Sequence, residues 1–342
     1  MKLQRISSLL LFWIVVSSYL CFAQDKKMGN PEQDHGANTM QLTAFGERPV
    51  FSPDGLRIAF IGRSFGDAFE IDLKTKMIRI LTGHFRHEGF LRVNYLPNGD
   101  ILLTGARKFT DVRTTRGRDQ EWWIMKADAK TPPVPLNQKV FEGVAVSGKQ
   151  MKIVWVNISD RFSFYQPTAD METIFYMADI VTRDGKYILE NKKEVLRTKA
   201  NECIAEPQGF RLYDSELIYT CYKTVNNSAN IMGIKLDTGQ VITYRGIEKE
   251  FNEAEGLSPD GKWVLVESGP AVELAKRPID LWKLILEPNG KNFVRLTRWG
   301  DYLGYKATNP DVSPDGKWIA FQSGRVGEEA GVGHGIFLLK LK

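Results

Sequence analysis

The sequence predicts an all-β fold, a six-bladed β-propeller of four-stranded antiparallel blades whose ring is closed by an N-terminal strand completing the last blade. Three observations carry that prediction. First, one hairpin text occurs three times: Ser52-Pro53-Asp54-Gly55, Ser258-Pro259-Asp260-Gly261 and Ser313-Pro314-Asp315-Gly316, each followed by an apolar run such as Trp318-Ile319-Ala320-Phe321. Pro sets the backbone angle of a turn, Gly relieves its last position, and β-branched and aromatic residues then supply a buried strand. Second, turns at 54, 98, 148, 215, 260 and 315 are spaced by 44, 50, 67, 45 and 55 residues, which is a repeat. Third, the last repeat lacks a fourth strand, while residues 39–43 form a strand with no nearby partner.

Taken in order, residues 1–23 read as a cleaved secretory signal rather than a retained anchor. Lys2 and Arg5 precede an apolar stretch over 6–22, and Cys21 and Ala23 put small residues before Gln24. Residues 24–38 are polar and are expected to be a flexible leader. The propeller then occupies 39–342. Its first unit holds the hairpin at 48–62 and strands near 68–73 and 78–82. The second begins at 93–103 and continues at 122–126, with an edge strand near 134–136 after Pro132 and Pro133. The third has strands near 143–149, 153–156, 174–180 and 187–189, interrupted by a longer loop at 159–170 with Phe162, Phe164 and Tyr165. The fourth runs through 209–213, 217–221, 231–236 and 241–244. The fifth turns at 258–261 and 287–290 and closes at 293–297. The sixth starts at Asp311 and ends with 336–341. A four-stranded sheet cannot cover two apolar faces by itself, whereas radial stacking buries both, so Trp263 and Trp318 read as packing residues between blades.

Composition narrows the class of partner. The chain of 342 residues is 43% hydrophobic and 25% charged, with a net charge of +5 that falls to +3 without Lys2 and Arg5. No basic block marks a nucleic-acid partner. After signal cleavage the expected product is a periplasmic or secreted monomer without a membrane span. Cys203 and Cys221 flank a predicted hairpin; they read either as a disulfide, which export permits, or as two buried thiols.

At the SPDG turns the chain resembles the propeller repeats of the TolB family, also called PD40 or WD40-like repeats. Leu96-Pro97-Asn98-Gly99 is a near match, while Val146-Ser147-Gly148-Lys149 and Tyr213-Asp214-Ser215-Glu216 depart from the pattern. The resemblance covers about 39–342 and implies fold more than function. Related propellers include TolB, which binds other envelope proteins, oligogalacturonate lyases, which use a metal held largely by histidines, and the non-catalytic propellers of oligopeptidases. The expectation is a stand-alone propeller without TolB's additional domain or a peptidase's hydrolase domain.

Loops entering the inner strands are expected to gather at one mouth, where function is grafted. They carry Arg48, His84, His87, Glu88, Glu206, Glu255, Asn309 and Asp311, and loops on the same side add Arg63, Arg107, Arg161, Arg325 and His334. Arg48, Arg63, His87, Arg107, Arg161, Asn309, Asp311 and Arg325 are the candidate ligand contacts. Glu88, Glu206 and Glu255 are the candidate acid/base groups if the protein is an enzyme, since paired carboxylates serve when one stays protonated near neutrality. His84, His87 and His334 offer imidazoles to a divalent metal, although the fold requires no cofactor. The Gly331–Gly335 segment neither follows a strand nor opens a helix in a nucleotide-binding unit, and no standard catalytic motif is present. Two functions follow: binding of an extracytoplasmic ligand, an oligosaccharide or a protein, at the mouth, or a carbohydrate-active enzyme, a metal-assisted uronate-polymer lyase or a glycoside hydrolase.

Overall fold

The computed structural model describes residues 26–159, 168, 170–328 and 331–341. The predicted signal segment and the loop carrying Arg161, Phe162, Phe164 and Tyr165 lie outside the described residues.

After β1 (Thr39–Thr43), the first sheet is the meander β2 (Glu47–Phe51), β3 (Arg57–Ile61), β4 (Ala68–Asp72) and β5 (Ile78–Ile80). The second is β6 (Phe90–Tyr95), β7 (Ile101–Ala106), β8 (Gln120–Met125) and β9 (Val134–Lys139). The third is β10 (Phe141–Val146), β11 (Lys152–Ile158), β12 (Glu172–Arg183) and β13 (Lys186–Lys199). An eight-stranded sheet then holds two meanders: β14 (Ile204–Arg211), β15 (Glu216–Tyr222), β16 (Ala229–Lys235) and β17 (Val241–Arg245), followed by β18 (Glu250–Leu257), β19 (Trp263–Pro270), β20 (Asp280–Ile285) and β21 (Phe293–Arg295). The two halves meet at one parallel pairing, Ala229 with Phe251. The last sheet contains β22 (Tyr305–Val312), β23 (Trp318–Arg325) and β24 (Ile336–Lys340), with β1 antiparallel to β24.

The turns explain the repeated text more fully than Pro and Gly alone. Ser258 Oγ accepts from Trp263 N–H at 3.0 Å and donates to Asp260 at 2.8 Å, while Asp260 accepts from Lys262 N–H at 3.1 Å. Ser52 and Ser313 make the same set of bonds. Gly55, Gly261 and Gly316 take φ of 70°, 68° and 70°, a region that disfavours a Cβ. Ser and Asp therefore satisfy backbone donors that the tight turn leaves without sheet partners.

Packing is radial, because alternate residues of one strand serve opposite faces. Leu217 joins a core with Phe175 and Ala205, whereas its neighbour Ile218 joins Val264 and Leu284 on the other face. Val264 and Leu265 divide in the same way, and Leu265 packs with Trp263, Ile319 and Phe337. Trp318 packs in the core that joins Phe51 and Ile58 to Ala320 and Leu338. Both tryptophans thus sit between sheets, as expected from the sequence. Around the axis, β2 lies against β6 and β22, β10 against β14, and β18 against both β14 and β22. The molecule is an all-β propeller of four-stranded antiparallel sheets.

Two elements differ from the sequence reading. The strand expected at 187–189 extends over Lys186–Lys199, because an exposed outer edge rich in Lys and Glu carries little apolar pattern. Between β7 and β8 lies a helical insert, Val112–Thr114 continued by Thr115–Asp119, started by the Asp111 carboxylate accepting from Thr114 N–H at 2.8 Å. Cys203 and Cys221 are disulfide-bonded with Cα atoms 5.2 Å apart, linking the start of β14 to β15. Residues of the predicted leader touch the last sheet: Lys27 bridges to Tyr302, and Glu32 accepts from Ser323 Oγ and pairs with Arg325 at 2.8 Å. Among the described residues no helix is long and apolar enough to cross a membrane.

Candidate functional site

The innermost strands share a bulge at one level. Their registers shift between Glu47 and Val50, Phe90 and Arg92, Phe141 and Val144, Pro207 and Gly209, Ala254 and Leu257, and Thr308 and Asp311. A bulge adds a residue and re-aims side chains. Arg48, Glu142 and Asn309 reach it with φ of 53°, 27° and 47°, strained for residues with a Cβ. These bulges carry charged groups to the propeller axis.

The result is a belt of mostly buried charge. Arg48, 5% exposed, lies 3.6 Å from Glu47 and donates to Leu91 O at 3.3 Å. Arg92 lies 3.5 Å from Glu206 and 3.8 Å from Glu142, which also pairs with Arg116 of the helical insert. The Tyr222 hydroxyl stands 2.8 Å from Glu206 Oε2 and 2.5 Å from Glu253 Oε1. Glu267 accepts from Asn309 N–H at 2.5 Å, and Asp311 from Phe51 N–H at 2.7 Å. The belt is closely packed: a Cβ on Gly143 would sit 2.4 Å from Glu206 Cγ.

Enclosure shifts proton affinities upward for the acids. Burial, then Glu267 and Glu206, push Glu253 up to about 8. Burial raises Glu267 to about 7 against the opposing Asn309 N–H, and Asp311 to about 6 against the N–H groups of Phe51 and Val312. Burial, then Glu267 and Glu253, raise Glu255 well above the carboxylate range. For Arg92, burial opposes the charge, but Glu206, Glu255 and Glu253 outweigh it and raise its affinity. Desolvation disfavours ions while opposite charges retain them, so burial raises the proton affinity of the belt's carboxyls and the surrounding glutamates hold the charge on Arg92.

On one side the belt floors a cavity of about 710 Å³, walled by the innermost strands and the turns that follow them. Arg48, Glu255, Asn309 and Asp311, all singled out from sequence, line it, together with Arg92. Its rim includes Pro53, Pro97, Pro259 and Pro314, and Tyr213, 84% exposed with Lys149 Nζ 4.1 Å from its ring centre. Tyr213 sits in three successive left-handed residues, Leu212, Tyr213 and Asp214 (φ 51°, 58° and 63°). This funnel opens on the SPDG-turn face, opposite the entry loops where the sequence placed the mouth.

The other candidates are placed elsewhere. Arg63 is exposed. Arg107 is committed to Glu121 and Asn137, Arg325 to Glu32 and Ser323. Glu88 accepts from Phe109 N–H at 3.3 Å, and Glu206 lies in the belt, outside the funnel lining. The histidines do not converge: His84 Nε2 lies 2.9 Å from Ala129 O, His87 Nε2 2.9 Å from Asp67, and His334 Nε2 2.6 Å from Glu328. Since His87 Nδ1 accepts from Gly89 N–H, its Nε2 donates to Asp67 and the ring clamps a loop. Among the described residues no three His, Cys, Asp or Glu side chains are grouped to hold a metal ion. Glu253, which the sequence places at a strand entrance beside Glu255, completes the site with Arg92, Tyr222, Glu267 and Tyr213, which were not singled out as candidates. For Arg92 the signal that would have marked it is the bulge between Phe90 and Arg92, which sequence alternation does not reveal.

No family model and no curated protein matches the sequence. Solved structures do match. TolB from Acinetobacter baumannii aligns with a TM-score of 0.53 at 13% identity over 86% of this chain, and the chain spans 63% of that structure's length. An oligogalacturonate lyase in complex with manganese aligns at 0.53 and 14%, covering 89% of this chain and 93% of that one. Regucalcin from Agrobacterium tumefaciens, a calcium-binding protein, aligns at 0.53 and 11%, covering 87% and 92%. Its structural neighbours are TolB-like and related β-propellers. At these identities the likeness shows the fold alone.

Proposed function

We propose that the chain is an exported TolB-like propeller that binds an extracytoplasmic ligand, best matched by an oligosaccharide, in the axial funnel. The observation that carries this reading is the 710 Å³ funnel itself, which ends on Arg48, Arg92, Glu255, Asn309 and Asp311. Ligand sites of several hundred cubic ångströms with a few fixed polar groups are the usual geometry for a small ligand. An exposed Tyr213 on a strained rim offers an aromatic face to a sugar ring. Export rests on the basic start and apolar run of residues 1–23. The six-bladed count divides the eight-stranded sheet at its single Ala229–Phe251 pairing, with β1 completing the last blade.

A second reading, a carbohydrate-active enzyme, is favoured by one feature. Glu255 lines the funnel with raised proton affinity and makes no hydrogen bond among the described residues, a state suited to a general acid. Calorimetric titration with acidic and neutral oligosaccharides tests the first reading. Saturable binding weakened by Tyr213→Ala is the expected result, and the absence of binding by every sugar, with an envelope protein binding the turn face instead, overturns it. Assay of the same panel for new reducing ends or unsaturated uronates tests the second; binding without turnover sinks it.

A further inference from the structure

Glu206 on β14, Tyr222 on β15 and Glu253 on β18 form a line across the seam between the two halves of the eight-stranded sheet. The phenol oxygen is within hydrogen-bond distance of both carboxyl groups, at 2.8 and 2.5 Å. A phenol has one hydrogen, and an ionised carboxylate only accepts. If both glutamates were ionised, one contact would set two acceptors against each other in a nearly dry site. The line closes when one carboxyl carries a proton and donates it to the phenol oxygen, while the phenol donates to the other. Arg92, 3.5 Å from Glu206, selects the ionised partner. The order is Glu253 carboxyl to Tyr222 hydroxyl to Glu206 carboxylate to Arg92 guanidinium.

We propose that these side chains are a one-proton lock that ties β14 and β15 to β18 at neutral pH and loosens the belt end of that contact when the proton leaves Glu253.

The lock adds to other ties across this seam: the Ala229–Phe251 pairing, Ala254 N–H donating to Thr220 Oγ1 at 2.9 Å, Gly290 N–H donating to Tyr244 O at 2.6 Å, Arg245 paired with Glu250 at 2.6 Å, and a core that joins Ile218 and Ile231 to Val264 and Leu284. Every charged element packed here bears on Glu253. Glu255 on β18, Glu267 on β19 and Glu206 on β14 oppose its ionisation. Arg92 on β6, Lys306 on β22 and Arg277 before β20 favour it. Deprotonation therefore turns a donor–acceptor chain into an acid cluster in which both arginines already have other partners: Arg92 faces Glu206 and Glu142, and Arg277 donates to Val272 O at 2.7 Å and stacks on Phe251.

The test uses the full chain without ligand. Infrared spectra should contain protonated-carboxyl absorption at pH 7 that titrates away in alkali and loses one carboxyl's share of its intensity in Glu253→Gln. Hydrogen exchange at β18, corrected for the intrinsic pH dependence, should quicken severalfold between pH 6 and 9. In Glu253→Gln it should stay flat, because the amide remains neutral and still donates to Tyr222; in Tyr222→Phe it should be fast at both values. A wild-type spectrum lacking that absorption at pH 7, which requires no variant to fold, overturns the proposal. So does β18 exchange that changes equally in wild type and Glu253→Gln.

Discussion

The SPDG turns and the axial belt use similar polar groups in opposite ways. In a turn, donor and acceptor are at most five residues apart: Ser313 Oγ meets Trp318 N–H, and Asp315 meets Lys317 N–H. In the belt, these partners come from separate meanders: Tyr222 and Glu253 are 31 residues apart, Glu267 and Asn309 are 42, and Arg48 N–H reaches Gln322 across 274. The turns are solvated and repeat, so each satisfies itself and each leaves the same text. The belt is enclosed and does not repeat, so each group depends on strands far along the chain. Local satisfaction makes a motif; distant satisfaction makes a site.

Breaking the belt should cost most. Arg92→Met leaves Glu206 short of its counter-charge, and stability should fall by about 3 kcal/mol, read from the urea midpoint; a loss no greater than that of a turn variant would erase the distinction between the two regions. Replacing Cys203 and Cys221 together by Ser opens a short loop of 18-residue separation and should cost about 3 kcal/mol or somewhat less. Ser313→Ala removes one satisfied turn and should cost about 1 kcal/mol without altering the slope of the denaturation curve.

The pH profile separates the regions by sign. Asp315 is held low by the Ser313 hydroxyl and the Lys317 N–H, and Asp260 by the Lys262 N–H. A lowered folded value contributes stability above the ordinary carboxylate range that is lost as pH falls through it. Glu253, raised to about 8, contributes stability in acid that is lost as pH rises through that value. Asp260→Asn with Asp315→Asn should flatten only the acid limb, and Glu253→Gln only the alkaline limb, in thermal melts from pH 3 to 9. Tyr213→Ala should have the smallest effect on stability, within about 0.5 kcal/mol, because the side chain is 84% exposed.

Legibility followed the same division. Three full SPDG copies and one near copy placed the inner hairpins, and Trp263 and Trp318 were recognisable as inter-sheet packing because apolar residues occupy both faces of buried strands. The 14 residues of β13 were not legible in full, since an exposed edge lacks the apolar alternation that marks a strand. At the site, Arg48, Glu255, Asn309 and Asp311 stood near strand entrances and do line the funnel. Arg92 and Tyr222 were hidden inside strands, where their types look like ordinary strand residues; at Arg92 a bulge turns the charge inward. The opening on the turn face was equally hidden, because a turn motif describes its own closure and not the space that neighbouring turns enclose.

The pairing of β1 with β24 sets a clock on assembly. Asn38 touches Lys340 across 302 residues, and Thr39 pairs with Leu339. A chain emerging N-terminus first presents Met40 and Leu42 before their partners exist, because β24 follows every other described strand. The intermediate sheets can form as they appear, but this seam waits for both ends. Until β1 and β24 pair, the last sheet has an open, adhesive margin, the form most exposed to proteases and to pairing with another chain.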